Sequence, residues 1–271
     1  MGILYLVATP IGNLEDVTLR ALRVLREVSL IAAEDTRTTR KLLSRYDIHT
    51  PLLSYTDRNR RQRTPQILAT LARGDVALVS EAGTPAISDP GYHLVVAACE
   101  AGFSVTPVPG PSVLTAAMAV SGLPTRRFHY LGFLPRQGGQ RRRLLHAVAD
   151  FPDTLLAFES PHRLRGALQD IAAELGNRRI TICRELTKAY EEIFRGLVEE
   201  ALAHFGEPRG EFTLVIEGAG EAARKPTLPE VDAEMRALKA QGVRAQQATG
   251  ELAKRYGLSR RELYRRWLRL R

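Results

Sequence analysis

In the first 120 residues, five short apolar runs each give way to a segment of helical length. "ILYLVAT" precedes "TLRALRVLREV", "LIAAED" precedes "TRTTRKLLSRY", and "PLLSY" precedes "TPQILATLARG". "VALVS" then leads to "GYHLVVAACEAG", and "SVTPVPG" to "SVLTAAMAVSG". The runs are continuous rather than alternating, which marks strands buried on both faces. That pattern requires a largely parallel sheet covered by helices. Gly74 and Gly102 stand where two of those helices should stop.

A second set of signals follows "GLPTRRF": "FHYLGFL", "QRRRLLHAVAD", "TLLAFES", "RLRGALQDIAAELG", "RRITICREL", "LVEEALAHFG" and "EFTLVIEG". Some of these connections are too short for crossover helices, so antiparallel pairs are expected here. "GAGEAARKPTLPE" reads as a linker. Beyond it, Ala248, Leu252 and Ala253 share one helical face, and Leu263, Trp267 and Leu270 another, with Ser259 as N-cap of the second helix. The expected organisation is an α/β domain over 1–121, a second, mixed α/β domain over 122–219, and a linker with a helix-turn-helix-like unit over 220–271.

Charge is unevenly placed. The net charge is +9, and from Arg224 to Arg271 thirteen cations face only five acids, so the body before it is close to neutral. A basic appendage on a neutral body points to an anionic partner, most simply a nucleic acid. A genome that favours Arg over Lys would explain the choice of cation, but not its location. No apolar run approaches the roughly 20 residues that span a bilayer. The opening "MGILYLVATP" lacks the basic start of a signal peptide and reads as a first strand. Cys99 and Cys183 lie far apart, with no spacing for a disulfide framework or a zinc site. These features give the expectation of a cytoplasmic protein without membrane attachment or bound metal.

In open α/β sheets, ligands sit beyond the carboxyl ends of the strands. Those ends read Thr9-Pro10-Ile11-Gly12-Asn13, Glu34-Asp35-Thr36-Arg37, Ser54-Tyr55-Thr56, Ser80-Glu81-Ala82-Gly83-Thr84 and Pro109-Gly110-Pro111-Ser112. Gly83 and Gly110 would let a ligand approach the backbone, and Asp89 opens a helix whose amides face the same edge. Turn chemistry explains any one of these loops, but not their concentration on one rim. GxxxxGK(S/T) is absent. "GAGEAA" matches a dinucleotide fingerprint, but "RKPTLPE" follows it, and two prolines forbid the helix that the motif needs. His162, in "ESPHRL", is the one histidine beside other polar residues at a strand end; a solvated or core role is the better reading of it.

"LYLVATPIGNLEDVTLRALRVLREVSLIAAEDTRTTRKLL", "GDVALVSEAGTPAISDPG", "VPGPSVLTAAMAVSGLP", "FLP", "FESPHRL" and "CRELTK" together resemble the ribosomal RNA small-subunit methyltransferase I family. That family has the tetrapyrrole-methylase-like (class III) two-domain fold. The resemblance runs through nearly the whole chain in order. It implies S-adenosylmethionine held between two α/β domains, usually in a homodimer. It also implies methyl transfer to the ribose 2′-hydroxyl of a cytidine in the decoding region of 16S ribosomal RNA, as free RNA or in the small ribosomal subunit.

Carried onto this sequence, the resemblance implies cofactor contacts from Thr9, Pro10, Ser80, Glu81, Ala82, Gly83, Asp89, Pro109, Gly110, Ser112, Thr115, Ala116 and Phe158. The 2′-hydroxyl is a poor nucleophile, so a group must accept its proton. Glu34, Asp35, Glu81, and Glu185 with Lys188 are candidates, and Arg37 could hold a phosphate. Each has a structural alternative: Glu34 and Asp35 as caps of the next helix, Asp89 as another cap, Glu185 as a partner of Arg184 or Lys188. RNA contacts are expected from Arg60, Arg61, Arg141, Arg142, Arg260, Arg261, Arg265 and Arg266, with "RQGGQRRR" (Arg136–Arg143) read as a mobile basic loop lifting into a helix, or else as a solvated helix start. A porphyrin-like substrate, or a non-catalytic role in ribosome assembly, would be the competing readings.

Overall fold

The computed structural model describes residues 2–220, 228–256 and 258–270. Its first ten elements alternate as the apolar runs require. They are β1 (Ile3–Val7), α1 (Leu19–Glu27), β2 (Leu30–Ala33), α2 (Thr36–Arg45), β3 (Leu52–Ser54), α3 (Arg60–Leu71), β4 (Val76–Val79), α4 (Gly91–Glu100), β5 (Ser104–Val108) and α5 (Val113–Ser121). The five strands form one parallel sheet in the order β3-β2-β4-β1-β5. Every residue of β4 is buried, as a central strand with helices on both faces demands. One core lies under α1 and α2, with Leu25, Ile31 and Val79 at its centre, and another under α3 and α4, around Tyr55, Ile67 and Leu94. Each such fully buried aliphatic side chain stabilises the fold by about 1.5–3 kcal/mol.

The second set comprises β6 (Phe128–Phe133), α6 (Gly138–Ala147), β7 (Thr154–Glu159), α7 (Pro161–Leu175), β8 (Arg179–Arg184), β9 (Glu192–Leu197), α8 (Val198–His204) and β10 (Phe212–Ile216). Its sheet runs β6-β7-β10-β8-β9; only β6 and β7 are parallel, and β7-β10-β8-β9 are antiparallel neighbours. Helix α5, last of the first set, lays Ala117 and Met118 against Leu156, Cys183 and Val215 of this second sheet. Helix α5 therefore ties the first set to the second sheet, and residues 1–146 and 154–217 form one compact unit. The boundary expected at residue 121 falls inside that unit, where α5 ends on left-handed Gly122.

Residues 147–153 and 218–271 make the other unit. Among the described residues it holds three helices, α9 (Leu228–Ala240), α10 (Ala245–Tyr256) and α11 (Arg260–Arg269), around Val231, Met235, Ala248, Leu252, Leu263 and Trp267. Ser259 caps α11, its hydroxyl accepting from the Glu262 N–H at 3.4 Å. Helix α9 begins inside the stretch expected to be linker; residues 221–227 of that stretch lie outside the described residues. Among the described residues, no helix is long and apolar enough to cross a membrane.

Candidate active site

The loops leaving β1 and β4 are zipped together. Thr9 N–H donates to Gly83 O at 2.9 Å, and Gly83 N–H to Thr9 O at 3.0 Å. Gly83 takes φ +74°, the left-handed conformation that favours glycine. Ala86 (φ 68°) and Ser88 (φ 65°) are left-handed without being glycine, a cost typical of functional loops. Fixed contacts hold the loop. Ser80 Oγ donates to Ala82 O (3.0 Å), Ser88 Oγ lies 2.7 Å from Tyr130 Oη, and Asp89 Oδ1 accepts from Gly91 N–H at 2.7 Å.

Two cavities flank this loop. One, of ~330 Å³, lies between Ser80–Ala82, Asp89 and Glu34 on the first sheet and Phe133, Phe158, Glu159 and Thr213 on the second. The other, of ~400 Å³, shares Ser80, Glu81 and Ala82 and adds Thr9, Pro10, Thr38, Lys41 and Lys188. Phe158 meets Tyr130 and Phe133 edge-on, both at 5.3 Å between ring centres, which makes a fixed aromatic wall. Cys183 also borders the first cavity, and burial pushes its thiol up to about 11, so it stays neutral.

The candidate proton acceptors separate by environment. Asp35 caps α2, accepting from Arg37 N–H (2.7 Å) and Thr38 N–H (3.4 Å), and its carboxylate also takes Arg37 Nε and Nη2 at 3.3 and 2.8 Å. The Arg37 guanidinium, with those backbone donors, holds Asp35 down to about 2. Glu185 accepts from Lys188 Nζ (3.0 Å) and Glu211 N–H (2.8 Å). Burial pulls it upward, but those donors win and leave it below the ordinary carboxylate value. Lys188 is likewise drawn down by burial, yet its bonds to Glu211 and Glu185 raise it further, so it remains a cation.

Glu34 behaves differently. It is half-buried at the end of β2 with a single bond, Oε2 accepting from Glu81 N–H at 3.1 Å. Burial raises its pKa, the Glu81 N–H offsets part of this, and the charges of Asp89, Glu81 and Asp57 raise it again. Asp89 is also pushed up by burial, against the pull of the Gly91, Ala86 and Ile87 amides.

Sequence reasoning missed Glu159. This carboxylate ends β7 with its side chain wholly buried; Oε1 accepts from Ser160 N–H (2.7 Å) and forms an ion pair with Arg163 Nη2 at 2.6 Å. The signal was available in "TLLAFES": an acid closing a buried strand at a sheet rim is costly unless something binds it.

Of the thirteen residues expected to touch a cofactor, Ser80, Glu81, Ala82, Asp89 and Phe158 border the first cavity, and Thr9 and Pro10 the second. Gly83 and Ser112 meet Ala82 and Phe158 in an adjoining recess of ~60 Å³. Pro109, Gly110, Thr115 and Ala116 border none of these. At Gly110 a Cβ would lie 3.2 Å from Ala8 Cβ, so the space left by glycine is filled by the end of β1, not by a ligand. Thr115 is exposed and bonds Ser112 O at 3.1 Å, while Ala116 packs in the core under α5.

The basic candidates also divide. Arg141 is withdrawn from solvent: Nε and Nη2 meet Asp170 Oδ2 at 2.7 and 2.6 Å, and it donates to Gly166 O and Pro135 O. It cannot hold an external phosphate: the run lifts into a helix as early as Gly138, and that helix turns Arg141 inward. Arg142 is half-exposed and reaches Asp170 at 3.3 Å. Arg60 and Arg61 open α3, Arg60 with Nε 3.6 Å from Asp57. Arg260, Arg261 and Arg265 surround an open hollow with Tyr264 and Gln246, whereas Arg266 is bound by Asp232 at 2.9 and 2.7 Å. Among the described residues, no cluster of His, Cys, Asp and Glu could hold a metal ion.

Three buried oxygens at the two cavities have no hydrogen-bond partner: Thr9 Oγ1, Asp89 Oδ2 and Glu159 Oε2. Such orphans call for a ligand that brings donors. S-adenosylmethionine fits that demand, since its adenine amine and α-ammonium are donors and it carries no phosphate needing cations. Its apolar adenosine suits the Phe158 wall. Ser80–Ala82, Asp89, Phe158 and Glu159 line the cavity and would be the residues to hold it.

Comparison with known proteins agrees with the geometry. The family model "Tetrapyrrole (Corrin/Porphyrin) Methylases" matches residues 3–202. "Ribosomal RNA small subunit methyltransferase I" of Halalkalibacterium halodurans is 48% identical over 97% of this chain and 93% of its own length. The protein of that name from Synechocystis is 49% identical over 100% and 99%, and that from Escherichia coli O157:H7 is 44% identical over 97% and 94%. Among solved structures, diphthine synthase superposes with a TM-score of 0.63 at 15% identity, covering 80% of this chain and 90% of that one. Uroporphyrin III C-methyl transferase from Thermus thermophilus gives 0.58 at 20%, over 80% and 97%. These two likenesses carry the fold alone. With the family model spanning most of the chain and relatives matching it nearly end to end, the chain belongs to the ribosomal RNA small subunit methyltransferase I family of the tetrapyrrole methylases, and its cofactor is S-adenosylmethionine.

Proposed function

We propose that this protein methylates small-subunit ribosomal RNA, at the ribose 2′-hydroxyl of a cytidine in the decoding region, with Glu34 as proton acceptor. The shared name of relatives that match the chain end to end supports the RNA substrate. The ribose hydroxyl follows from the sequence resemblance. What carries the reading is the position of Glu34, a half-buried carboxylate with one uncommitted oxygen, on the cavity that holds the orphaned Asp89 and Glu159 oxygens.

Bound in this cavity, S-adenosylmethionine would supply a methyl group activated by its sulfonium. The protein's part is alignment and a proton sink. Ser80–Ala82 and the Phe158 wall fix the donor side. Glu34 Oε2 is occupied by the Glu81 N–H, which leaves Oε1 to take the hydroxyl proton as the new C–O bond forms. Its raised pKa makes it a stronger base than an ordinary carboxylate. Asp35, Glu185 and Lys188 hold their neighbours in place and move no proton. The homodimer belongs to the same proposal, and sedimentation velocity checks it.

Methyl transfer to small ribosomal subunits, followed by digestion to nucleosides, tests the reading. The expected product is 2′-O-methylcytidine; base methylation, transfer to a tetrapyrrole, or no transfer would overturn it. Glu34→Gln should lower kcat about a hundredfold to ten-thousandfold. In the wild type, kcat should fall on acidification, as Oε1 becomes protonated, through a limb above the ordinary glutamate value of 4.5. That limb should vanish in the variant, and a limb that persists would reject Glu34 as the base.

A further inference from the structure

Helix α2 carries Arg37, Arg40, Lys41 and Arg45, all exposed, and contains no acid. Arg37 is tied to Asp35, and Arg45 lies over the Tyr46 ring at 5.5 Å. Among the described residues, Arg40 and Lys41 pair with no acid. Neighbouring α1 is different: Arg23 bonds Glu27, and Arg26 bonds Tyr46 O. Positions 37, 41 and 45 repeat every fourth residue, so they form one row about 6 Å apart along the helix axis. Like charges at this spacing oppose helix formation. A solvated helix face usually intersperses acids among its cations; this one does not.

The row is continuous with the site. Lys41 borders the ~400 Å³ cavity, whose other walls include Thr9, Lys188 and the shared Ser80–Ala82 loop. We propose that Arg40, Lys41 and Arg45 on the outer face of α2 form a phosphate track that guides a single-stranded RNA segment into the cavity bordered by Lys41. The ligand chemistry is a run of phosphodiesters, because a row of cations reads backbone charge, and the one ring beside it, Tyr46, is already covered by Arg45. The inference rests on the RNA substrate proposed above. It places the entering strand on α2, beside the rim that carries Glu34.

The test is binding of a small-subunit ribosomal RNA fragment across a salt series, with S-adenosylhomocysteine binding measured in parallel by calorimetry. Arg40→Ala/Lys41→Ala/Arg45→Ala should bind the RNA at least tenfold more weakly at 0.15 M salt. The slope of log K against log salt should shrink by about 2, since each lost single-strand phosphate contact removes about 0.7. Arg40→Ala/Arg45→Ala, which leaves Lys41 in the cavity wall, should lose about two thirds of this, with cofactor affinity unchanged. Arg40→Lys/Arg45→Lys should retain the slope, since cation charge is what the track supplies. An unchanged slope in the triple variant overturns the track. If the wild type methylates RNA while that slope is unchanged, only the track fails. If the wild type methylates no RNA yet the slope shrinks, the substrate proposal fails and the track stands.

Discussion

Helix α6 carries Arg141, Arg142 and Arg143 in a row, and helix α11 carries Arg260, Arg261, Arg265 and Arg266. The two runs look alike on paper, and the fold uses them in opposite ways. Under α6, Asp170 takes both Arg141 and Arg142, and Arg141 disappears from the surface. Around α11, Asp232 takes Arg266 alone, and Arg260, Arg261 and Arg265 stay exposed about a hollow that includes Tyr264. What decides is the helical phase of each cation against a single acid elsewhere in the chain. A cationic run therefore serves two ends at once: one arginine fixes the helix, and the others remain for an anion. Helix α2 sits at the exposed extreme, where only Arg37 has an acid.

The comparison breaks most sharply at Arg141. Arg141→Ala leaves Asp170, with its side chain only 11% exposed, facing a single 3.3 Å contact from Arg142. Breaking a buried pair from one side costs about 3–5 kcal/mol, and the remaining contact puts the expected loss near the lower figure. Arg142→Ala should cost far less, because Arg142 is half-exposed. Urea denaturation of the two variants decides this. Equal midpoints would mean that Arg141 is as dispensable as a surface cation.

A smaller effect sharpens the same contrast within α11. Arg266→Ala removes a two-point bond to Asp232 that joins α11 to α9, so the helical unit should melt earlier than in the wild type. Arg265→Ala, one residue away and exposed, should leave the melting unchanged. Far-ultraviolet circular dichroism on the full chain reads both. Identical melting would show that the Asp232 contact anchors nothing.

How much of this was legible beforehand varies with the physics that decides each feature. The parallel sheet was plain, because strands buried on both faces must be apolar throughout, as in "VALV" of β4. Strand β9 escaped notice: "EIFRGL" mixes Glu192 and Arg195 with apolar residues, as an edge strand paired only to β8 can. The start of α9, Leu228–Glu230, fell within the stretch read as linker, although Pro229 sits in the first turn, where proline is tolerated. The rim of the site was readable, since parallel strands deliver all their carboxyl ends to one edge. The opposite fates of Glu34 and Asp35 were not, because they depend on which of two adjacent acids turns back to cap α2. Gly110 shows the same limit: whether ligand or protein fills the space beside a glycine is settled only by tertiary packing.

The smallest effect on stability, and the most telling for function, is expected from Arg260→Ala/Arg261→Ala/Arg265→Ala. Removing three exposed cations leaves the core around Trp267 and Leu263 untouched, so thermal melting should match the wild type. Binding to small-subunit ribosomal RNA should weaken, with the salt slope reduced by about 2. Binding of S-adenosylhomocysteine should not change, since none of the three borders the two cavities of the first unit. Adding Tyr264→Ala separates stacking from charge. If the ring at the hollow stacks on a base, affinity should drop again with no further change in slope, because stacking releases no counterions. A slope unaltered by the triple variant would make this surface a solvated helix face and leave α2 as the basic helix that meets RNA.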